Sequence, residues 1–320
     1  MLKFFKHNNA WQVIIILITV ALLWARAFIT PVTFQSSQIF SPLFDMLFGW
    51  TRRLPILATA IALIITLAEG LWLNSLLFSQ KLIPPGSLLP MLLYIVAMSW
   101  DVEQLTITPL LMVNMMLLAS ISQLMTEGAT TLNIERNFNA SFCIGIALLF
   151  YIPAWTLIIF LILVFVTYKM YNWRQIAAWL LGLIGPMLLF LTYAFISNKL
   201  TYYLFLMQYD ISNIGLRIEH AGLLLSLRNI FFITILFLPV IAQIAQSTDS
   251  TIHSRIIIRI LLLPLVGGIG MMLYTQMFPA DTQLFAVTFA FTTTTAMFTH
   301  RKKKWINEGL LYLILALGIL

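Results

Sequence analysis

Residues 57–77 read LATAIALIITLAEGLWLNSLL, and Glu69 is the single ionisable side chain in this run. An apolar run of this length matches the roughly 20 residues that a helix needs to cross the hydrocarbon core of a bilayer. Because lipid offers no water to the backbone, such runs form helices rather than isolated strands. The run therefore predicts that the chain is a membrane protein.

The same kind of run recurs along the whole chain. Hydrophobic residues make up 61% of it and charged residues 9%, whereas about a quarter of the residues of a soluble domain are charged. The sequence predicts an all-α, polytopic membrane bundle, a single domain over 1–320, with about eleven (10–11) transmembrane helices. The predicted spans are roughly 11–29, 54–78, 87–100, 106–125, 140–153, 155–168, 176–197, 229–246, 256–277, 283–299 and 306–320.

The lysines and arginines indicate how these spans are oriented. The formal net charge of +7 reflects loop charges that set topology, so no nucleic-acid partner is expected. With a cytoplasmic N-terminus, twelve basic residues lie inside: Lys3, Lys6, Lys81, Arg136, Lys169, Arg174, Arg255, Arg259, Arg301, Lys302, Lys303 and Lys304. Six lie outside: Arg26, Arg52, Arg53, Lys199, Arg217 and Arg228. The excess of inner charges predicts a cytoplasmic N-terminus.

Two local features leave alternatives open. The segments that flank Pro153 could be two spans, one long kinked helix or a re-entrant pair. The N-terminus is similar to a signal peptide, because Lys3 and Lys6 precede an apolar run. Trp24 and Arg26 at the end of that run favour an interfacial anchor over a cleavage site.

The chain has one cysteine, Cys143, inside an apolar run. It cannot form an intramolecular disulfide, and no His or Cys spacing typical of a metal site accompanies it. Cys143 is interpreted as a small buried hydrophobic side chain. We therefore expect no metal and no cofactor.

Glu69 needs an explanation because an acid at membrane depth is costly, and such groups usually face the bundle interior or a cavity. One interpretation is an interhelical hydrogen bond with a polar residue at a matching depth. The candidates are Ser120, Ser122 and Gln123 in the fourth predicted span and Gln243 in the eighth. The other interpretation is a proton relay or a cation site.

Two predicted outer loops, 30–53 and 198–228, contain apolar segments that suit the membrane interface. Asp45, in the first loop, is a candidate general base. Arg52, Arg53 and Arg217 are candidate ligands of a lipid phosphate, because guanidinium binds phosphate in a bidentate manner, and His220 could complete an acid–base pair. The alternative is that all of these are ordinary solvated loop charges.

Two stretches carry a resemblance: FNASFCIGIALLFYIPAW from Phe138 and YNWRQIAAWLLGLIGPMLLFLTYAF from Tyr171. With the opening MLKFFKHNNAWQ, they resemble a family of polytopic inner-membrane proteins of Bacteroidetes-type bacteria that has no established activity. The layout also resembles membrane glycosyltransferases that use lipid-linked sugars. That second resemblance implies a catalytic acid in the first outer loop, where Asp45 lies, and a polyprenyl-phosphate-linked sugar as substrate.

Three functions follow for a multi-pass protein of a bacterial inner (cytoplasmic) membrane. The first is a non-catalytic subunit or scaffold in cell-envelope assembly, with membrane lipid and other envelope membrane proteins as partners. The second is a glycosyltransferase-like enzyme that acts on lipid-linked sugars at the outer face. The third is a transporter or flippase. From the sequence, whether the protein is an enzyme stays open.

Overall fold

The computed structural model describes more than two thirds of the chain, in several continuous ranges. These are 10–31, 41–100, 105–125, 133–169, 172–205, 252–275 and 280–299, with 237, 239–241, 243, 308–309 and 311–312. Within these ranges the chain is helical and contains no strand. The prediction of an all-helical protein is confirmed for this part of the chain.

We number the eleven α-helices of these ranges in chain order. They are α1 Ala10–Ile29, α2 Pro42–Phe48, α3 Pro55–Ser79, α4 Leu89–Met98, α5 Pro109–Leu124, α6 Ile134–Phe150, α7 Leu157–Thr167, α8 Trp173–Ile196, α9 Ile252–Leu262, α10 Pro264–Thr275 and α11 Ala286–Thr299. Short 3-10 helices cover Gly49–Arg53, Ile152–Thr156 and Ala280–Phe285. Residues 200–205 are also helical.

Four helical stretches are long and apolar enough to cross a membrane. They are Trp11–Ile29, Pro55–Ser79, Trp173–Ile196 and Ser254–Met272, the last of which runs from α9 into α10. Shorter apolar helices cover Leu89–Met98, Pro109–Leu124, Ile152–Thr167 and Gln283–Phe298. The described part of the chain therefore has four candidate membrane spans, in line with the predicted membrane protein. The finer count of about eleven spans is not confirmed and stays a prediction.

Helix α4 lies in the centre of the bundle, and all ten of its residues are buried. At 1.5 Å per residue it is about 15 Å long, half the thickness of the hydrocarbon core. Its backbone ends are therefore deep inside the protein and need internal partners. Helix α1 supplies a partner for the backbone at one end, where Gln12 Oε1 accepts from the Leu88 N–H at 2.8 Å. At the other end it bonds to a side chain, since Trp24 Nε1 donates to Ser99 Oγ at 3.1 Å.

These two bonds make α1 and α4 parallel, and they define the two ends of the bundle. We call the end at which α1 begins the proximal end and the end at which α1 finishes the distal end. Helix α3 starts at the distal end and returns to the proximal end before α4.

Replacing Gln12 with leucine is expected to destabilise the protein by about 1–3 kcal/mol, because the half-buried Leu88 N–H loses its acceptor. Thermal unfolding of the full chain in detergent, followed by tryptophan fluorescence, measures the change. Gln80→Leu is the matched control, since Gln80 is only half-buried in the turn after α3. Equal losses in the two variants would contradict the proposed role of Gln12.

The chain reverses direction at Pro153. Helix α6 ends at Phe150, and after the 3-10 helix Ile152–Thr156 the chain continues as α7. Beyond the end of α7, the Tyr168 hydroxyl donates to the Leu124 carbonyl at 2.6 Å, so α7 returns to the end of α5 from which α6 sets out. One long kinked helix is therefore excluded, because Pro153 joins two antiparallel segments.

Helices α6 and α8 run parallel in close contact, with Pro186 inside α8. At the proximal end Asn137 Nδ2 donates to the Gln175 carbonyl at 2.8 Å. Further along, Gly145 lies beside Pro186 and the Leu183 carbonyl. The chain then runs eight residues from Gly145 to Pro153 and ten from Pro186 to the end of α8 at Ile196, so the turn at Pro153 lies within about one helical turn of that end. The reversal is therefore close to the distal end.

The outward side of α8 is an extended apolar surface. Large apolar residues there are exposed, among them Leu181, Leu189, Phe195 and Ile196. In a membrane such a surface suits lipid tails, which are as apolar as the side chains themselves. The surface is consistent with the predicted contact with membrane lipid.

Candidate functional site

A buried carboxyl lies where α3 packs against α4. Glu69 is 1% exposed, and its Oε2 accepts a hydrogen bond from the Tyr94 hydroxyl at 2.7 Å. The residue after it is Gly70, where an added Cβ would be 3.1 Å from Met91 Cγ and 3.5 Å from Tyr94 Cδ1. The missing side chain at Gly70 thus lets the two helices approach closely enough for this bond to form.

Glu69 forms the interhelical hydrogen bond expected from the sequence, but with a different partner. The Gln243 Oε1 accepts instead from Thr295 Oγ1 at 2.8 Å. Ser120 Oγ has no hydrogen-bond partner among the described residues, and Gln123 is half-buried on the same helix. The expectation rested on matching depths, and depth does not determine which helix faces turn toward each other.

Tyr94 is the residue that sequence reasoning missed. It is fully buried and lies in a helix whose other residues are apolar. A buried tyrosine usually needs a partner for its hydroxyl. That requirement was the signal, because Glu69 is the acid of the neighbouring predicted span.

Six buried polar atoms lack a hydrogen-bond partner within the described part of the chain. They are Glu69 Oε1, Asn74 Oδ1, Asn114 Oδ1, Ser120 Oγ, Trp179 Nε1 and Thr293 Oγ1. Asn114 and Ser120 lie on α5, which packs against α3, and Thr293 lies on α11, which packs against α4. Because buried polar atoms are nearly always paired, these atoms distinguish the centre of the bundle from a purely apolar core.

A second polar junction, also missed from the sequence, joins α5 to the 3-10 helix before α11 at the distal end. Thr108 Oγ1 donates to Gln283 Oε1 at 3.2 Å, and Asn114 Nδ2 donates to the Gln283 carbonyl at 2.8 Å. These bonds tie residues far apart in the sequence. They fix the start of α5 against the start of α11.

At the distal end, an electrostatic interaction links a residue of each of the two predicted outer loops. Asp45 lies on α2, and Tyr203 lies in the helical segment 200–205. Burial raises the pKa of Tyr203, and repulsion from Tyr193, Tyr202 and Asp45 raises it further. Asp45 is therefore within electrostatic reach of the second loop. Tyr203 was not among the residues singled out from the sequence.

The predicted phosphate ligands are described only in part. Arg52 and Arg53 end the 3-10 helix Gly49–Arg53, directly before α3. Arg53 is exposed, whereas the side chain of Arg52 and all of Arg217 and His220 lie outside the described residues. A cluster of these residues around Asp45 stays a prediction.

Replacing Asp45 with asparagine is expected to move the titration of Tyr203 to lower pH, because one of the negative charges that raise its pKa is removed. Because the pKa of Tyr203 is raised in the folded protein, its contribution to stability is fully present below the ordinary tyrosine pKa. This contribution is lost as the pH rises through the pKa of the folded state. The measurement is the alkaline phenolate absorbance of each protein minus that of its Tyr203→Phe variant. Glu135→Gln, at the proximal start of α6, is the control. An unchanged titration of Tyr203 in Asp45→Asn would show that the two side chains do not interact.

Among the described residues, no three His, Cys, Asp or Glu side chains come together in a way that could hold a metal ion. Comparison of the chain with protein-family models, curated proteins and solved structures finds no match. Kinship with the families that the sequence resembles therefore stays a proposal.

Proposed function

We propose that the chain is a multi-pass protein of a bacterial inner membrane that serves as a non-catalytic subunit or scaffold in cell-envelope assembly. In this proposal the N-terminus and the proximal end face the cytoplasm, about eleven helices cross or enter the bilayer, and other envelope membrane proteins are the partners.

The ends of two helices support this orientation. Lys81 and Lys169 follow the last turns of α3 and α7 at the proximal end, with φ angles of 55° and 53°. Glycine is the preferred residue in this left-handed position, and a lysine there is strained. A basic side chain at both places, despite the strain, suits a cytoplasmic end, where positive charge is enriched.

The observation that carries the scaffold proposal is the closed packing around α4. All of α4 is buried, both of its ends bond to α1, and Glu69 is sealed between α3 and α4. A substrate larger than a proton would need a wide polar passage or cleft, and this packing supports a role that depends on the outer surfaces of the bundle.

Complementation tests this proposal. A strain that lacks the protein is scored for envelope integrity, for example by sensitivity to detergent, and is then supplied with the wild-type chain or with Asp45→Asn. A scaffold keeps full rescue in the variant, because Asp45 has no chemical role in it. Loss of rescue at an unchanged level of folded protein would overturn the proposal.

That second outcome would favour the glycosyltransferase-like enzyme. The electrostatic interaction of Asp45 with Tyr203 supports this alternative, because a candidate general base of the first outer loop then lies within reach of the second. The enzyme would bind a polyprenyl-phosphate-linked sugar, so binding of a polyprenyl phosphate that weakens in Arg53→Gln would support it.

Labelling of single cysteines tests the orientation. In a Cys143→Ser background, Lys169→Cys at the proximal end and Asn198→Cys after α8 are treated with a membrane-impermeant maleimide in spheroplasts. We expect label on position 198 in intact spheroplasts and on position 169 only after the membrane is permeabilised. The reverse pattern, or equal labelling in intact spheroplasts, would contradict the orientation.

A further inference from the structure

We propose that a group of aromatic side chains at the distal end of α8, together with Asp45, binds the ammonium headgroup of a phospholipid. The group consists of Phe190, Tyr193, Tyr202 and Tyr203, and we call it the distal tyrosine cluster. Its ligand is a lipid whose headgroup carries an ammonium group beside the phosphate, as phosphatidylethanolamine does. This inference goes beyond the scaffold role and does not depend on it.

The turn that ends α8 assembles the cluster. The Asn198 N–H donates to the Phe195 carbonyl at 3.0 Å, and the Lys199 N–H donates to the Ala194 carbonyl at 2.9 Å. These are the two bonds of a Schellman motif, in which the residue after the helix is left-handed. Asn198 has a φ angle of 55°, which asparagine tolerates better than most side chains do. The turn redirects the chain before the helical segment 200–205 begins.

Tyr203 lies between two other rings of the cluster. Its ring centroid is 5.1 Å from that of Phe190 and 5.5 Å from that of Tyr202, and the ring planes of both pairs meet at 63°. The segment 200–205 therefore packs against α8. Tyr202 is 58% exposed and Tyr193 is 43% exposed. Because the face of an aromatic ring attracts a cation within about 6 Å of its centroid, these open rings can bind a cation at the surface.

The groups that act electrostatically on Tyr203 are acidic. Burial raises the pKa of Tyr203, and repulsion from Tyr193, Tyr202 and Asp45 raises it further. Asp45 lies on α2, so a carboxylate from the first loop acts on the tyrosines of the second. A nearby carboxylate favours the charged form of an ammonium group. Carboxylate and ring faces together therefore favour a cationic ligand over an anionic one.

Two neighbouring features suit a lipid rather than a simple ammonium ion. Lys199 is exposed, and its carbonyl accepts from the Tyr203 N–H at 3.1 Å. Residues four apart on a helix lie about 5–6 Å apart on one side, so the Lys199 side chain can bind the phosphate beside the ligand's ammonium group. On α8, Tyr193 shares a side with Leu189 and Ile196 by the same spacing. Both are largely exposed and offer an apolar surface to an acyl chain.

A comparison of two lipids tests the proposal. The full chain is purified in detergent, and native mass spectrometry measures its affinity for phosphatidylethanolamine and for phosphatidylglycerol with the same acyl chains. Phosphatidylglycerol has the phosphate but lacks the ammonium group. We expect the preference for phosphatidylethanolamine over phosphatidylglycerol to fall by roughly two- to fivefold in Asp45→Asn and in Tyr203→Leu, the size of one exposed ion pair or cation–π contact.

The controls separate recognition of the headgroup from other effects. Tyr203→Phe, which keeps the ring, and Glu135→Gln, which removes an exposed acid at the proximal end, should both retain the wild-type preference. Lys199→Gln should weaken the binding of both lipids, because both contain a phosphate. Thermal unfolding in detergent identifies a variant that fails to fold, and Asp45→Asn, which changes a half-buried side chain, then decides if Tyr203→Leu fails.

Two results would overturn the proposal. An unchanged preference in folded Asp45→Asn would leave the distal tyrosine cluster as an aromatic anchor at the membrane boundary, where tyrosine is enriched in any case. Free phosphoethanolamine that displaces the lipid at equal concentration would show that the acyl chains contribute nothing, and would exclude a lipid as the ligand. The scaffold role is judged separately, by complementation.

Discussion

Gly182→Ala is expected to lower the stability of the protein by about 1–3 kcal/mol, the usual cost of forcing extra atoms into a packed interface. A Cβ at this position would lie 2.5 Å from the Phe138 carbonyl oxygen and 2.9 Å from Ser141 Cβ. The first neighbour is backbone, so it cannot move aside by rotating a side chain. Helices α6 and α8 would have to separate.

Gly185→Ala, three residues further along α8, is the matched control. Its added Cβ would find its nearest neighbour, Phe142 Cε2, at 3.8 Å, which is an ordinary contact. Alanine favours a helix over glycine by up to about 1 kcal/mol, so this variant should be as stable as the wild type or more stable. Thermal unfolding of both variants in detergent gives the comparison, and equal destabilisation would show that α6 and α8 are not packed at Gly182.

The second large effect is expected for the buried pair of Glu69 and Tyr94. Glu69→Leu leaves the Tyr94 hydroxyl buried without its acceptor, and Tyr94→Phe leaves the carboxyl group without its donor. Each single change should cost about 1–3 kcal/mol, whereas the double variant should cost less than either, because no unpaired polar group remains.

A double-mutant cycle on thermal or denaturant unfolding measures this coupling. The control cycle combines Glu69→Leu with Tyr168→Phe, which removes the hydroxyl that donates to the Leu124 carbonyl at the proximal end. Distant sites should add. Strict additivity in the Glu69–Tyr94 cycle would mean that the two side chains do not contribute a joint hydrogen bond.

The central helix α4 shows how much of the fold could be predicted from the sequence. The apolar run before Trp100 predicts a span over 87–100, and a helix does form there, as Leu89–Met98. Its complete burial could not be predicted from composition, because an apolar residue suits lipid and protein interior equally well. The hydrogen bonds that Gln12 and Trp24 form at its two ends depend on which helix lies alongside it.

The candidate site was likewise predictable from the sequence only in part. Glu69 stands out in the sequence as an acid within an apolar run, and its burial follows from the cost of exposing it to lipid. Its bond to Tyr94 depends on the close approach of α3 and α4 at Gly70. At the distal end, Asp45 was named from the sequence, whereas its electrostatic interaction with Tyr203 links residues more than 150 positions apart.

The sequence by itself determined that this protein is helical and has segments apolar enough to span a membrane, because the length and polarity of each run are local properties of the chain. The tertiary structure alone decided which polar groups meet, where the chain reverses at Pro153 and which helix is central. Those outcomes depend on the rotation of each helix about its axis and on contacts between distant residues, and hydropathy along the chain carries no information about either.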